Sequence, residues 1–267
     1  MSVSVLPIHD ADGVRTLTLN RPHRRNALDA ELWEALRTAL AAAGRDRSVR
    51  ALVLTGAGGA FCSGAELPRE VGAAHPLYRM RTLTDVALLL HELPVPTVAK
   101  VTGPAVGAGW NLALGCDLVV ATPESTFSQI FARRGLSLDL GGSWLLPRLV
   151  GLQQAKRLAL LAETVDAAQA LALGLVTWVV DAGEVDAFVD DVTARLTAGP
   201  PVALAQTKAL LNEGADRSLR DALASEARAQ SVNFASADAP EAFAAFAHKR
   251  APRFTGRWAV PGRTEDV

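Results

Sequence analysis

The sequence predicts an α/β fold with parallel strand pairing. Two observations carry that prediction: apolar strand-like runs alternate with helical segments from the start of the chain, and glycine turns follow the strands. A third, the loss of strand signals after about Gln153 in favour of alanine-rich helices, predicts a helical C-terminal region.

In order, Val14 to Leu19 reads as a strand. Asp29 is placed to cap a helix that ends near Gly44, with Leu32, Leu36 and Leu40 spaced along one face. Ala51 to Thr55 is the next strand, closed by the turn Gly56 to Gly59. A polar stretch from Pro68 to Tyr78 precedes a helix from about Thr82 to Leu93, and Thr97 to Val101 is again a strand. The segment VTGPAVGAGWNLALGCD, Val101 to Asp117, is a turn bracketed by Gly103, Gly107 and Gly109 that feeds a short apolar helix. Backbone N–H groups around Ala108 lie where a helix start leaves donors unpaired. A second candidate donor lies in FCSGAEL, Phe61 to Leu67. Two loops that each offer an N–H can hold a carbonyl oxygen as it becomes negative, which makes an oxyanion hole. Near the end, Ala187 to Leu196, Pro201 to Asn212, Leu219 to Gln230 and Pro240 to Arg250 read as helices. The break at Gly199, Pro200 and Pro201 divides a core, residues 1–198, from a helical region, residues 199–267. From Thr255 onward the chain reads as polar and loosely held.

Composition excludes several classes. The 267 residues are 49% hydrophobic, enough for one large domain or a domain with an appendage. A net charge of −1 gives no global field for nucleic acid or an anionic membrane, so an anionic ligand must meet local cations. Cys62 and Cys116 lack zinc-ligand spacing and fall in separate contexts, so no metal is expected and reduced thiols in the cytoplasm are. The first residues show no secretory pattern, and the apolar stretch Val86 to Val101 is interrupted by His91, Glu92, Pro94 and Pro96, so no membrane span is expected. Neither glycine turn reproduces a dinucleotide fingerprint or a Walker sequence.

The chain resembles the crotonase superfamily, the enoyl-CoA hydratase/isomerase family. The motifs that carry the resemblance are LNRPHRRNAL (19–28), FCSGAEL (61–67), VTGPAVGAGWNLALGCD (101–117), the GLSLDLGGSWLLPRL core within Ser125 to Pro147 and its flank, AQALALGLV (168–176) and FAHKR (246–250). Each is weak alone, and six in this order are specific. The resemblance implies a spiral of ββα units with a C-terminal helical region that packs in a homotrimer or a dimer of trimers. It implies an acyl-CoA substrate, with coenzyme A part of that substrate and no further cofactor. Ala65 and Ala108 take the oxyanion-hole positions, Ala108 standing where the family usually has glycine. Arg24, Arg25, Ala27 and Leu28, with Cys62, Ser63 and Gly64, take the coenzyme A positions, and Phe246 and Lys249 those that approach the adenine and 3′-phosphate, often across a subunit boundary. Singly, each of these cations also reads as an ordinary surface charge.

The resemblance places the two hydratase glutamates at Asn111 and Phe131, and neither is a carboxylate. Asparagine can orient a water without accepting its proton, and phenylalanine can do neither. Asp139, in GLSLDLGG, matches an aspartate that some branches of the family use as acid, base or nucleophile; otherwise it caps the helix beginning near Gly141. One carboxylate is sufficient to isomerise a double bond through an enolate. Isomerisation with Asp139 as the shuttle is therefore the leading expectation. Hydration by Asp139 and a water on Asn111, and noncatalytic acyl-CoA binding, are the alternatives. Trp110, Phe131 and Trp144 are assigned to the acyl pocket, the tryptophans alternatively to the core. His75 and Tyr78 lie in the polar stretch that, by the resemblance, shapes the acyl pocket, a lone loop histidine otherwise reading as exposed, and His91 reads as a helix residue near the core.

Overall fold

The computed structural model of the chain describes residues 4–66 and 75–259. Strand alternation resolves there into two sheets. The larger contains β1 (Ile8–Ala11), β2 (Val14–Leu19), β3 (Ala51–Gly56), β4 (Thr97–Val101), β6 (Leu118–Ala121) and β9 (Trp178–Val179), in the order β1-β2-β3-β4-β6-β9. All its pairs are parallel except β1 with β2, which turn through Asp12 and Gly13, both at positive φ as a tight hairpin requires. The smaller sheet holds β5 (Pro104–Val106), β7 (Thr126–Ser128) and β8 (Thr164–Asp166).

Single bridges extend this second layer, pairing Leu28 with Ala65 and Cys62 with Ala105. Each turn of the chain thus lays one segment in the large sheet and one in the small. The sequence of pairs is β2 then Leu28, β3 then Cys62 to Ala65, β4 then β5, and β6 then β7. That is the expected spiral of ββα units. Its consequence is local: loops far apart in sequence are stacked as neighbours in the second layer.

Helix α1 (Ala30–Ala43) starts where expected, with the Asp29 carboxylate accepting the Leu32 N–H at 2.9 Å and Leu32, Leu36 and Leu40 buried. Helix α2 (Pro76–His91) begins about six residues before the sequence-based start at Thr82. His75 caps it, its Nδ1 accepting the Leu77 N–H at 3.2 Å, and Pro76 occupies the first helical position, which proline tolerates. Leu77 and Tyr78 are exposed, so this first turn carries no apolar stripe to betray it. The rest of the polar stretch, 68–74, lies outside the described residues.

Helix α3 (Ala108–Leu114) is buried along its whole length, between the sheets and α4 (Gly142–Leu160), which breaks at Gly151. The short α5 (Ala167–Ala172) carries a capping box between Asp166 and Gln169. Helix α6 (Val185–Ala198) covers the other face of the large sheet, setting Val185, Val189 and Val192 on Val53, Val98 and Val120. Beyond it α7 (Pro201–Gly214), α8 (Leu219–Phe234) and α9 (Asp238–Ala247) form the helical tail. The expectation of a loose end from Thr255 is corrected for the described residues. The Asp238 carboxylate accepts the N–H groups of Thr255 and Gly256, and Ala259 donates to the Ala235 carbonyl. A buried aspartate with two backbone donors anchors this segment, a tertiary contact that polarity alone does not signal.

Candidate active site

The second layer brings the Arg24–Leu28 turn, the Cys62–Ala65 segment and the start of α3 together. Ser63 N–H donates to the Arg25 carbonyl, Leu28 N–H to the Gly64 carbonyl and Glu66 N–H to the Leu28 carbonyl, each at 2.9 Å. The Val106 N–H donates to the Cys62 carbonyl at 2.9 Å. These pairings use the backbone groups on both sides of Ala65. The N–H groups of Ala65 and Ala108 have no acceptor among the described residues. Two unpaired donors on touching segments can hold an oxygen that gains negative charge.

Two glycines permit that contact. A Cβ on Gly64, whose φ is +95°, would lie 2.8 Å from the Val106 carbonyl oxygen and 3.7 Å from the Ala108 nitrogen. One on Gly109 would lie 2.4 Å from the Cys62 carbonyl oxygen. Gly64→Ala is therefore expected to lower stability by about 2 kcal/mol or more, from the left-handed backbone and the backbone clash together. Thermal unfolding of the variant beside the native chain checks it.

Sequence reading missed Asn26 and Arg21, which build the turn. Asn26 is fully buried at φ 56°; its Nδ2 donates to the Ala57 and Ala60 carbonyls at 2.8 and 2.7 Å, and its Oδ1 accepts the Arg21 N–H at 2.9 Å. Arg21 pairs with Asp29 at 3.0 Å and Glu66 at 2.8 Å. An asparagine before the apolar pair Ala27–Leu28 was a readable signal, since asparagine tolerates positive φ.

Asp139 lies on the loop that leads into α4. It does not cap that helix: the cap position is Gly141 at φ 80°, with no side-chain bond. The Asp139 main chain is held instead, its carbonyl accepting from Asn111 Nδ2 and from the Gly142 N–H, both at 2.9 Å. Asn111 Oδ1 accepts in turn from Gln129 Nε2 at 2.8 Å. Asn111 is buried, so its amide is a tether for Asp139 bound on both sides. A Cβ on Gly142 would sit 2.5 Å from Asn111 Nδ2, which explains glycine there. Asn111 stands one turn after Ala108 on α3, about 4.5 Å along the axis and on the same side. A single helix therefore carries an unpaired N–H at its first residue and the tether of Asp139 at its fourth.

The carboxylate itself is mostly shielded, and its Oδ1 is buried with no hydrogen-bond partner among the described residues. Burial pushes its pKa up to about 6; the charge of Arg79 and the residue's own N–H oppose that rise. Arg79 also donates from Nη2 to the Glu66 carbonyl at 2.9 Å, beside Ala65. A carboxyl group that titrates near neutrality, on a loop tethered to the helix that begins with the Ala108 N–H, is suited to moving protons at a carbon next to a carbonyl.

Comparison with known proteins bears on that chemistry. The sequence pattern described as enoyl-CoA hydratase/isomerase matches residues 9–257. The chain belongs to the enoyl-CoA hydratase/isomerase family. It is 39% identical to a probable enoyl-CoA hydratase of Rhodobacter capsulatus, over 96% of this chain and 100% of that one. It is 37% identical to the 1,2-epoxyphenylacetyl-CoA isomerase of Escherichia coli, over 93% and 97%. Among solved structures, a putative enoyl-CoA hydratase from Streptomyces coelicolor superposes with a TM-score of 0.91 at 40% identity, covering 95% of each chain.

Of the residues the family resemblance singles out, Arg24, Arg25, Ala27, Leu28, Cys62, Ser63, Gly64, Ala65 and Ala108 are brought together as above. Phe246 and Lys249 are not: Phe246 is 88% exposed at the end of α9, whose main contact is α8. Trp110 is corrected from pocket to core, fully buried with its ring 5.5 Å from that of Phe127. It faces inward because every residue of α3 is enclosed between layers, so helical spacing gave no direction. Phe131 sits in a 3-10 turn, 3.6 Å from where a Cβ on Gly107 would stand. Trp144 lines an apolar cavity with Asn111, Leu140 and Gly141. Burial pushes the Cys62 and Cys116 thiols up to about 12, which leaves them inert. Among the described residues no cluster of His, Cys, Asp and Glu could hold a metal ion, and no helix is long and apolar enough to cross a membrane.

Proposed function

We propose that this family member binds an acyl-CoA thioester, stabilises its enolate with the Ala65 and Ala108 N–H groups, and isomerises a double bond through Asp139. The observation that carries the reading is the buried Asp139 Oδ1, without a partner among the described residues, on a loop tethered to the helix that begins with Ala108. Asp139 removes a proton from one carbon, and the electron pair moves into the thioester carbonyl, whose oxygen becomes negative between the two N–H donors. Return of that proton to another carbon of the conjugated system regenerates the thioester with its double bond moved. Coenzyme A would lie along Arg24 to Leu28 and Cys62 to Gly64, with Phe246 and Lys249 supplied across a subunit boundary.

Hydration is the second reading, favoured by the names of several relatives. It is weakened by Asn111, whose amide is engaged by Asp139 and Gln129, and by the absence of a carboxylate at Phe131. An acyl-CoA binder without catalysis is the third. For assembly we favour a homotrimer or a dimer of trimers. Helix α7 buries none of its residues, and Leu211, Leu219, Leu223, Phe234 and Phe243 are exposed in the single chain, a surface fit for contact between copies. Two inert free thiols fit a reducing cytoplasm, and the chemistry requires no cofactor beyond the substrate's own coenzyme A.

The test is proton exchange at the α carbon of a panel of acyl-CoA thioesters in deuterated water. Asp139 must be ionised to act as base, so exchange is expected to fall below a pH of about 6, following its raised pKa. A panel that binds without exchanging at any pH from 5 to 9 would leave the binder as the better reading.

A further inference from the structure

The apolar cavity beside Asp139 has a shape and a chemistry that the reacting groups do not require. It offers about 260 Å³ between Leu88 and Leu90 of α2, Leu112 of α3, Leu140 just before α4, and Trp144 and Leu145 in its first turn. Among the described residues, two polar side chains besides the Trp144 indole reach it. One is the Asn111 amide, already bound on both sides, and the other is His91, whose pKa burial and then the Lys208 charge hold down, favouring the neutral ring.

Trp144 is a fixed wall. The Arg148 guanidinium lies 3.9 Å from its ring centre, and His91 meets it edge-on at 5.2 Å. Arg148 is anchored to Asp216, just past α7, at 2.6 Å. Contacts on both sides favour the ring position that bounds the cavity at this end.

We infer that this cavity receives the distal end of the acyl group and selects a compact apolar one, a ring or branched chain of about six to eight carbons, with Trp144 setting the limit. The inference rests on the acyl-thioester reading, because the cavity is lined by Leu140 and Gly141, which follow Asp139, and by Asn111, which tethers it. Its size argues for the class: an aliphatic cavity of about 150 Å³ accommodates benzene, so this one takes a ring with a few further atoms and not a long chain. A charged tail would lose its hydration against walls that, among the described residues, are mostly leucine and offer it only the neutral His91 ring beside the already bound Asn111 amide.

Calorimetric titration of the full chain with acetyl-CoA, phenylacetyl-CoA and dodecanoyl-CoA tests this without requiring turnover. Phenylacetyl-CoA is expected to bind at least about tenfold more tightly than either of the others, since one methylene more or less in an apolar pocket is worth about tenfold. Leu88→Trp fills the cavity from a half-exposed position that folding tolerates, and is expected to cut the phenylacetyl-to-acetyl affinity ratio by about tenfold. Trp144→Ala moves the preference toward dodecanoyl-CoA. Equal affinities for the three thioesters, or a ratio unchanged in Leu88→Trp, overturn the inference. Selective binding without α-proton exchange leaves the inference standing and removes the proton-shuttle reading; exchange with flat affinities does the reverse. If none of the three binds, both fall.

Discussion

Asp139→Asn is expected to exchange the α proton of a bound thioester about 10²–10⁴-fold more slowly than the native chain, with affinity for the thioester retained. The amide occupies the same volume and cannot accept a proton. The main-chain tether to Asn111 and the Gly142 N–H use the Asp139 carbonyl, which the substitution leaves in place. Loss of exchange with binding kept separates a chemical role from a structural one. Exchange that persists in the variant would remove Asp139 from the mechanism.

The same substitution carries a stability prediction of defined sign. The folded pKa of Asp139, about 6, stands above the ordinary aspartate value of 3.8. A raised pKa means the fold favours the protonated form, so the native chain is most stable, with respect to this group, below pH 3.8, and loses that stability as pH rises through about 6. Asp139→Asn removes the buried charge. It is expected to be more stable than the native chain at pH 8, by on the order of 2 kcal/mol, with the difference shrinking as pH falls toward 4. Thermal unfolding of both chains at the two pH values checks it. A gain in stability with loss of turnover is what a functional, unsatisfied group predicts.

Much of this site was legible in the sequence, for reasons that differ by residue. Asp29 capped its helix because its chemistry is local: a carboxylate reaches an N–H three residues on. The glycines around Ala108 marked a turn because positive φ and close approach leave few other residues possible. Trp110 and Asn111 show where such reading stops. Both sit on α3, a helix enclosed on all sides, so no apolar periodicity tells which side chain points to a cavity and which to the core. The tether from Asn111 to Asp139 spans 28 residues and depends on how α3 meets the loop before α4. The first turn of α2 was hidden for the opposite reason, since it exposes all of its residues and buries nothing.

Ala108→Pro is expected to lower turnover by about 10²–10³-fold while leaving the fold assembled. Proline lacks the N–H, and Ala108 is the first residue of α3, where a helix has no use for that donor and proline's fixed φ is already helical. The preceding residue, Gly107, has no Cβ to meet the proline ring. The helical ladder survives the change, because its first bond here runs from the Asn111 N–H to the Gly107 carbonyl at 3.0 Å. Only the donor that the proposed mechanism aims at the developing oxyanion is lost, and removing one such donor costs about 3–4 kcal/mol of transition-state stabilisation. Because the oxygen is neutral in the bound ground state and negative only as the enolate forms, the loss should fall on kcat more than on KM. Steady-state kinetics of the variant, with unfolding curves to establish the retained fold, measure that split. A loss confined to KM would mean that the Ala108 N–H merely binds the thioester, and the oxyanion role would pass to other groups.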